Sequence, residues 1–116
     1  SPKAVMSSYN LVNGEHTCQI KDLQTYVLRD EWGFDGFVMT DWSVTKGLAK
    51  GDKKYPAACA SGIVKAGNDM TMPGNRNDVM DILKALEDQR YPYSITRAQL
   101  QLSAKRILST ILSMCI

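Results

Sequence analysis

Residues that form disulfides and metal sites are scarce in this sequence. Its 116 residues include a single histidine and three cysteines, Cys18, Cys59 and Cys115, with no Cys-x-x-Cys pair. An odd number of widely spaced cysteines does not suit a disulfide framework, and one histidine does not suit a zinc site. We therefore expect free, buried thiols, and neither a metal nor any other cofactor.

Long apolar runs and concentrated positive charge are also lacking. Every apolar run is far shorter than the roughly 20 residues that a membrane-spanning helix needs. The net charge is only +2, without a basic cluster, which argues against nucleic acid or an anionic membrane as a partner. Residues 1–4 lack the apolar core of a signal peptide. We accordingly expect no nucleic-acid or membrane partner, and favour a cytoplasmic over a secreted protein.

Alternating strand and helix patterns are what the sequence does contain. Its length and its 44% hydrophobic content suit one small domain. Short apolar stretches predict strands at 4–9, 37–40 and 69–72, and helical periodicity predicts helices at 20–31, 57–67, 77–89 and from Thr96 onward. Gly67 is the expected helix stop, Asn77 the expected cap of the third helix, and 45–56 a polar loop. This order predicts an α/β fold with parallel strands covered by helices.

The stretch "GFDGFVMTDW" at 33–42 places a carboxylate at the end of a buried strand. In parallel α/β folds, ligands collect at the carboxyl ends of the strands, and Asp41 stands at such an end. Trp42 beside it offers a flat apolar face, and Tyr9 leaves the preceding strand at the same edge. A turn-forming or capping aspartate is the simpler alternative. A carboxylate, an indole and a phenol together favour carbohydrate chemistry.

Three blocks in order, "AVMSSYNLVNG", "LRDEWGFDGFVMTDW" and "AGNDMTMPG", resemble glycoside hydrolase family 3 from residue 4 to about 112. That family contains β-glucosidases, β-xylosidases and related exo-acting retaining enzymes. The resemblance implies that Asp41 is the catalytic nucleophile and that Trp42, Tyr9 and Met6 border the subsite for the terminal sugar. The TDW block resembles the β-glucosidase and β-xylosidase branches, so the implied substrate is a β-glucoside or a β-xyloside.

The resemblance also implies a larger protein. The first domain of the family resembles a (β/α)8 barrel, and these residues match about its last third. We therefore expect residues 1–116 to be a fragment of the barrel domain, a partial TIM barrel of about three parallel strands with covering helices. The acid/base glutamate of the family lies on a second, sandwich-like domain, outside this chain. The implied partners are the remainder of the enzyme or a second copy, and the fragment alone is expected to be inactive.

Two other function classes compete with a hydrolase. "DMTMPG" has the D-x-x-M-P spacing of a phosphoacceptor receiver domain, but the chain lacks the early acidic pair and the late lysine that such a domain uses. A non-catalytic carbohydrate-binding fragment would keep the aromatic platforms without turnover. Among the remaining acidic residues, Glu15 is considered as an acid partner, although a solvated loop residue is favoured. Asp69 is considered as a substrate contact, although turn or backbone contacts are favoured.

Overall fold

The computed structural model describes residues 2–46 and 57–115, so most of the polar loop predicted at 45–56 lies outside the described residues. In chain order, the strands and the main helices are β1 (Ala4–Met6), β2 (Leu11–Val12), β3 (Glu15–His16), a π-type helix (Asp22–Glu31), β4 (Phe37–Trp42), α1 (Ala60–Ala66), β5 (Met70–Met72), α2 (Arg76–Glu87) and α3 (Arg97–Met114). Short 3₁₀ turns occupy Thr17–Gln19 and Val44–Lys46.

The sheet at the centre of the fold has three parallel strands in the order β1-β4-β5. The predicted parallel pairing of strands 4–9 and 37–40 is confirmed as the pair β1 and β4, with Ala4 opposite Phe37 and Met6 opposite Met39. β1 is shorter than predicted, because the chain turns away soon after the Ser7 amide donates to the Met39 carbonyl at 2.8 Å. β4 is longer than predicted and continues through Trp42.

The helices follow the predicted order, with two differences. The helix predicted at 20–31 winds as a π-type helix; at its end the Trp32 amide donates to the Val27 carbonyl, five residues back, at 2.9 Å. The cap of α2 is Asn75 rather than Asn77, because the Asn75 side chain accepts a hydrogen bond from the Asp78 amide at 2.9 Å. Gly67 ends α1 at φ 100°, as predicted from its freedom to adopt a left-handed conformation.

Two apolar clusters hold the helices in place. One contains Cys18, Val44, Ala58 and Ile63, and the ring of Tyr9 packs against it. The other joins α1 to α2 and to the start of α3 through Val64, Ala85 and Ile95. α2 therefore packs mainly on α1 rather than directly on the sheet. Of the three thiols, Cys18 is buried and Cys59 partly buried, whereas Cys115 is exposed, contrary to the expectation for all three.

A buried ion cluster connects the π-type helix, the sheet and α3. The Asp69 carboxylate accepts from Arg29 at 2.6 Å and from Arg106 at 3.0 Å, and its side chain is fully buried. It also accepts from the Val38 amide at 3.0 Å, just before β5 begins. Because a buried charge is tolerated only when it is paired and hydrogen-bonded, these contacts give Asp69 a structural role.

One face of the sheet has little cover among the described residues. The pairing register places Met6, Met39 and Met70 on this face, and the Met6 side chain is 59% exposed. On the opposite face, Val38 and Thr40 are buried. Within the two described ranges, no helix combines the length and the apolar character that crossing a membrane would require.

Candidate active site

An irregularity near the end of β4 changes the face of the sheet to which Trp42 points and sets Asp41 beside it. Met39 pairs with Met70 and Trp42 with Met72, so three steps along β4 correspond to two along β5. In a regular strand, consecutive side chains point to opposite faces. The extra residue is a β-bulge, a feature that re-aims side chains at barrel rims and active sites. It returns Trp42 to the sheet face of Met39 and leaves Asp41 at the bulge beside it.

The predicted sugar-contacting residues share this face and its carboxyl edge. Trp42 is 58% exposed, and Met6, which pairs with Met39 on the same face, is equally open. After Trp42 the chain leaves the sheet through Ser43, which adopts a left-handed φ of 58°. The Ser43 amide donates to the Met72 carbonyl at 2.6 Å. The end of β4 is therefore fixed on β5, while the indole of Trp42 remains accessible.

The Trp42 amide and the Tyr9 phenol both lie beside the Asp41 carboxylate. Its Oδ1 accepts from the Trp42 amide at 2.7 Å. The Tyr9 hydroxyl donates to the Trp42 carbonyl and also lies within hydrogen-bonding reach of the Asp41 carboxylate. A phenol has one proton, so it donates to one of these two acceptors at a time. The Asp41 carboxylate therefore has a backbone donor on one oxygen and the phenol close by.

The electrostatics of Tyr9 agree with this contact. Desolvation of the phenol raises the pKa of Tyr9, and the negative charge of Asp41 and the hydrogen bond to it raise that pKa further. The phenol therefore stays protonated across the physiological range and remains a donor. The Tyr9 ring is held on its other side by the apolar cluster that contains Cys18 and Val44.

The segment that carries Tyr9 is followed by a β-hairpin at residues where the sequence predicts a loop. β2 and β3 are antiparallel and joined by Asn13 and Gly14, with φ 52° and 87°. Both values are positive, as in a type I′ turn, and the Asn-Gly pair after the apolar Leu11-Val12 is the sequence signal that could have revealed it. Glu15 therefore lies in a strand opposite Val12, rather than in a solvated loop.

Two residues considered near the carboxylate have other contacts. Thr40, which precedes Asp41, is buried and its hydroxyl accepts from the Met72 amide at 2.9 Å, so it supports the bulge. Asp69 lies before β5, hence at the amino edge of the sheet, where it pairs with Arg29 and Arg106. Neither arginine was singled out in the sequence, because each is separated from Asp69 by more than 35 positions.

Acidic and metal-binding side chains do not cluster elsewhere in the described ranges. In residues 2–46 and 57–115, no three histidine, cysteine, aspartate or glutamate side chains come close enough together to hold a metal ion. The groups assembled at the carboxyl edge are instead one carboxylate, one phenol and one exposed indole. This arrangement can place a carboxylate beside the apolar face of a sugar ring.

Comparison with known proteins agrees with this geometry. The family model of the glycosyl hydrolase family 3 N-terminal domain matches residues 1–110. A β-glucosidase of Ruminococcus albus is 39% identical over an alignment of 116 residues, and this alignment covers 96% of this chain and 11% of that protein. An exo-α-(1→6)-L-arabinopyranosidase of Bifidobacterium breve is 37% identical over 110 residues, covering 95% of this chain and 12% of that protein.

A solved structure gives the same result for the fold. β-Glucosidase 3B from Thermotoga neapolitana, in complex with glucose, superposes with a TM-score of 0.76 at 32% identity, over 96% of this chain and 14% of that one. The expected part of a TIM-type barrel is thereby confirmed, and the receiver-domain alternative is excluded. The chain spans about a tenth of the length of the relatives it matches. The chain belongs to glycosyl hydrolase family 3, within its N-terminal domain.

Proposed function

We propose that this chain is the last third or so of the barrel domain of a longer retaining exo-β-glycosidase, with Asp41 as its nucleophile. The observation that carries the proposal is the Asp41 carboxylate at the bulged end of β4, held by the Trp42 amide and facing the Tyr9 phenol. Similarity to β-glucosidases over nearly the whole chain supports it. Trp42, Met6 and Tyr9 border the bound terminal sugar.

The proposed reaction has two steps. In the first, a carboxylate oxygen of Asp41 bonds to the anomeric carbon, the glycosidic C–O bond breaks, and the leaving oxygen takes a proton from an acid outside these residues. In the second, water attacks the same carbon from the leaving-group side, with that acid now acting as a base. The sugar is released with its anomeric configuration retained, and Asp41 returns to its ionised form.

The substrate class follows from the relatives. A terminal β-glucoside or β-xyloside is the first candidate, because β-glucosidases are among the relatives. An α-L-arabinopyranoside is the second, since two of the relatives are exo-α-(1→6)-L-arabinopyranosidases. Comparing kcat/KM on the three nitrophenyl glycosides, with the full-length enzyme, distinguishes them. A folded full-length enzyme that binds these sugars without hydrolysing any would support the non-catalytic carbohydrate-binding alternative instead.

Trapping the covalent intermediate tests the nucleophile. The full-length enzyme is treated with a 2-deoxy-2-fluoroglycoside that carries a good leaving group, then digested with trypsin. The peptide 30–46 also contains Asp30, Glu31 and Asp35, so fragmentation must assign the adduct to one carboxylate. We expect it on Asp41. Asp41→Asn should abolish labelling and lower kcat by about three or more orders of magnitude, because a whole reaction route is lost.

Asp35→Asn is the matched control. Asp35 lies just before the other end of the same strand and is exposed, so the same change of charge there should leave labelling and turnover intact. An adduct on any carboxylate other than Asp41 would overturn the assignment. Turnover by Asp41→Asn near that of the unmodified enzyme would overturn it equally.

A further inference from the structure

The side chain of His16 contacts the segment that carries Tyr9. His16 is 1% exposed, and its Nδ1 lies 3.2 Å from the main-chain carbonyl oxygen of Tyr9. A carbonyl oxygen only accepts hydrogen bonds, so Nδ1 carries the proton and donates. The ring is therefore hydrogen-bonded to the backbone of Tyr9, the residue whose hydroxyl reaches Asp41 and Trp42.

The neighbouring Thr17 makes two further hydrogen bonds to the same segment. Its hydroxyl donates to the Ser8 carbonyl at 2.8 Å, and its amide donates to the Asn10 carbonyl at 3.2 Å. Three successive carbonyls, those of Ser8, Tyr9 and Asn10, thus accept hydrogen bonds from His16 and Thr17. Of the three contacts, the one made by His16 is to the residue that faces the carboxylate.

The position of His16 is itself fixed by local structure. It ends the second strand of the hairpin and pairs with Leu11. The Asn13-Gly14 turn sets the register of this pairing, because a two-residue loop leaves one way to align the strands. The ring is buried, so it cannot change its contact without moving the hairpin. Backbone pairing and burial together preorganise the donor.

We propose that His16 is a positioning residue that orients Tyr9, and through Tyr9 the Asp41 carboxylate. This inference rests on the function proposed above. A phenol attached to a loop would sample several orientations, whereas an anchored backbone and a packed ring restrict it to one. His16 is 1% exposed, and its hydrogen bond is to the Tyr9 backbone, so it acts through Tyr9 rather than as a catalytic residue. Its loss should therefore act on kcat through Tyr9, with a smaller effect on KM.

Two polar substitutions of His16 separate positioning from packing. An asparagine amide can occupy the place of Nδ1, whereas a glutamine amide reaches the place of Nε2. In the full-length enzyme, His16→Asn should keep kcat within about threefold of the unmodified value, and His16→Gln should lower it about tenfold or more. Circular dichroism and thermal unfolding establish that both variants are folded. Equal kcat values for the two folded variants would overturn the proposal.

A double substitution supplies the readout that a purely structural role would not change. In a Tyr9→Phe background the hydroxyl is gone, so His16→Gln should lower kcat by less than about twofold. The same tenfold loss in both backgrounds would show that His16 acts independently of Tyr9 and would overturn the proposal. Trapping by the 2-fluoroglycoside is measured in parallel. If Asp41 is labelled while the His16 variants behave alike, this inference fails and the proposed function stands; labelling elsewhere rejects the proposed function itself.

Discussion

At the scale of single residues, Trp42 is the exposed aromatic side chain beside the candidate nucleophile. Trp42→Ala in the full-length enzyme should weaken sugar binding by about 1–3 kcal/mol, because a stacked ring face is lost. This corresponds to a KM increase of about 5- to 150-fold with a smaller change in kcat. Steady-state kinetics measure both, and Trp42→Phe should recover part of the binding. A large loss of kcat at an unchanged KM would contradict a role in binding.

Cys18 gives a pH-dependent prediction. Desolvation is the main reason that the pKa of this fully buried thiol rises from 9.0 to about 12, and the nearby Cys59 adds to the shift. The thiolate is the reactive form, so Cys18 in the folded protein should resist iodoacetamide at about pH 8, whereas the exposed Cys115 should react readily. Mass mapping of alkylated peptides measures both rates. Native-state labelling of Cys18 as fast as that of Cys115 would contradict the prediction.

The raised pKa of Cys18 also determines how the stability of the folded protein changes with pH. The folded-state pKa of Cys18 is above its unfolded value, so its contribution is fully present below pH 9.0. It is lost progressively as the pH rises from 9.0 toward about 12, because the unfolded state releases its proton first. Urea titrations across this window should therefore show a shallower decline for Cys18→Ala than for the unmodified protein.

At the scale of elements, the hairpin β2–β3 depends on its two left-handed residues. Gly14, at φ 87°, tolerates this conformation because it lacks a Cβ atom. Gly14→Val should lower the free energy of unfolding by about 1–2 kcal/mol, because a β-branched side chain is disfavoured there. Asn13→Gly, at the adjacent left-handed position, is the matched control and should change stability by only a few tenths of a kcal/mol, approximately. Urea unfolding compares the two, and equal losses would argue against the turn geometry.

At the scale of the whole molecule, three strands leave a sheet face and several helix side chains without cover among the described residues. Met6 is 59% exposed on the sheet, and Leu108 and Leu112 of α3 are 58% and 70% exposed. The 116-residue chain expressed alone should therefore self-associate or be only marginally stable. It should also hydrolyse no glycoside, because proton donation and much of the sugar pocket are proposed to come from other residues. A monomeric sedimentation profile with a cooperative, high-temperature melt would contradict the first expectation, and turnover would contradict the second.

The sequence by itself determined the order of the helices and of the three parallel strands β1, β4 and β5, and the place of Asp41 at a strand end. These features depend on local patterns. Apolar residues recur with helical or strand periodicity, Gly67 can adopt a left-handed cap, and Thr96 begins α3 with a capping box that includes Gln99. The family resemblance added the proposed role of Asp41 as nucleophile, which its local chemistry allowed but did not distinguish from that of a capping aspartate.

Only the tertiary structure decided how distant residues meet. The bulge that turns both Asp41 and Trp42 to one region appears in the pairing of β4 with β5, about 30 positions apart in the chain. Arg29 and Arg106 reach Asp69, and His16 reaches the Tyr9 carbonyl, through side-chain contacts that no periodicity encodes. Hydrophobic periodicity specifies which face of an element is buried, whereas register and side-chain pairing depend on the neighbour against which that face packs.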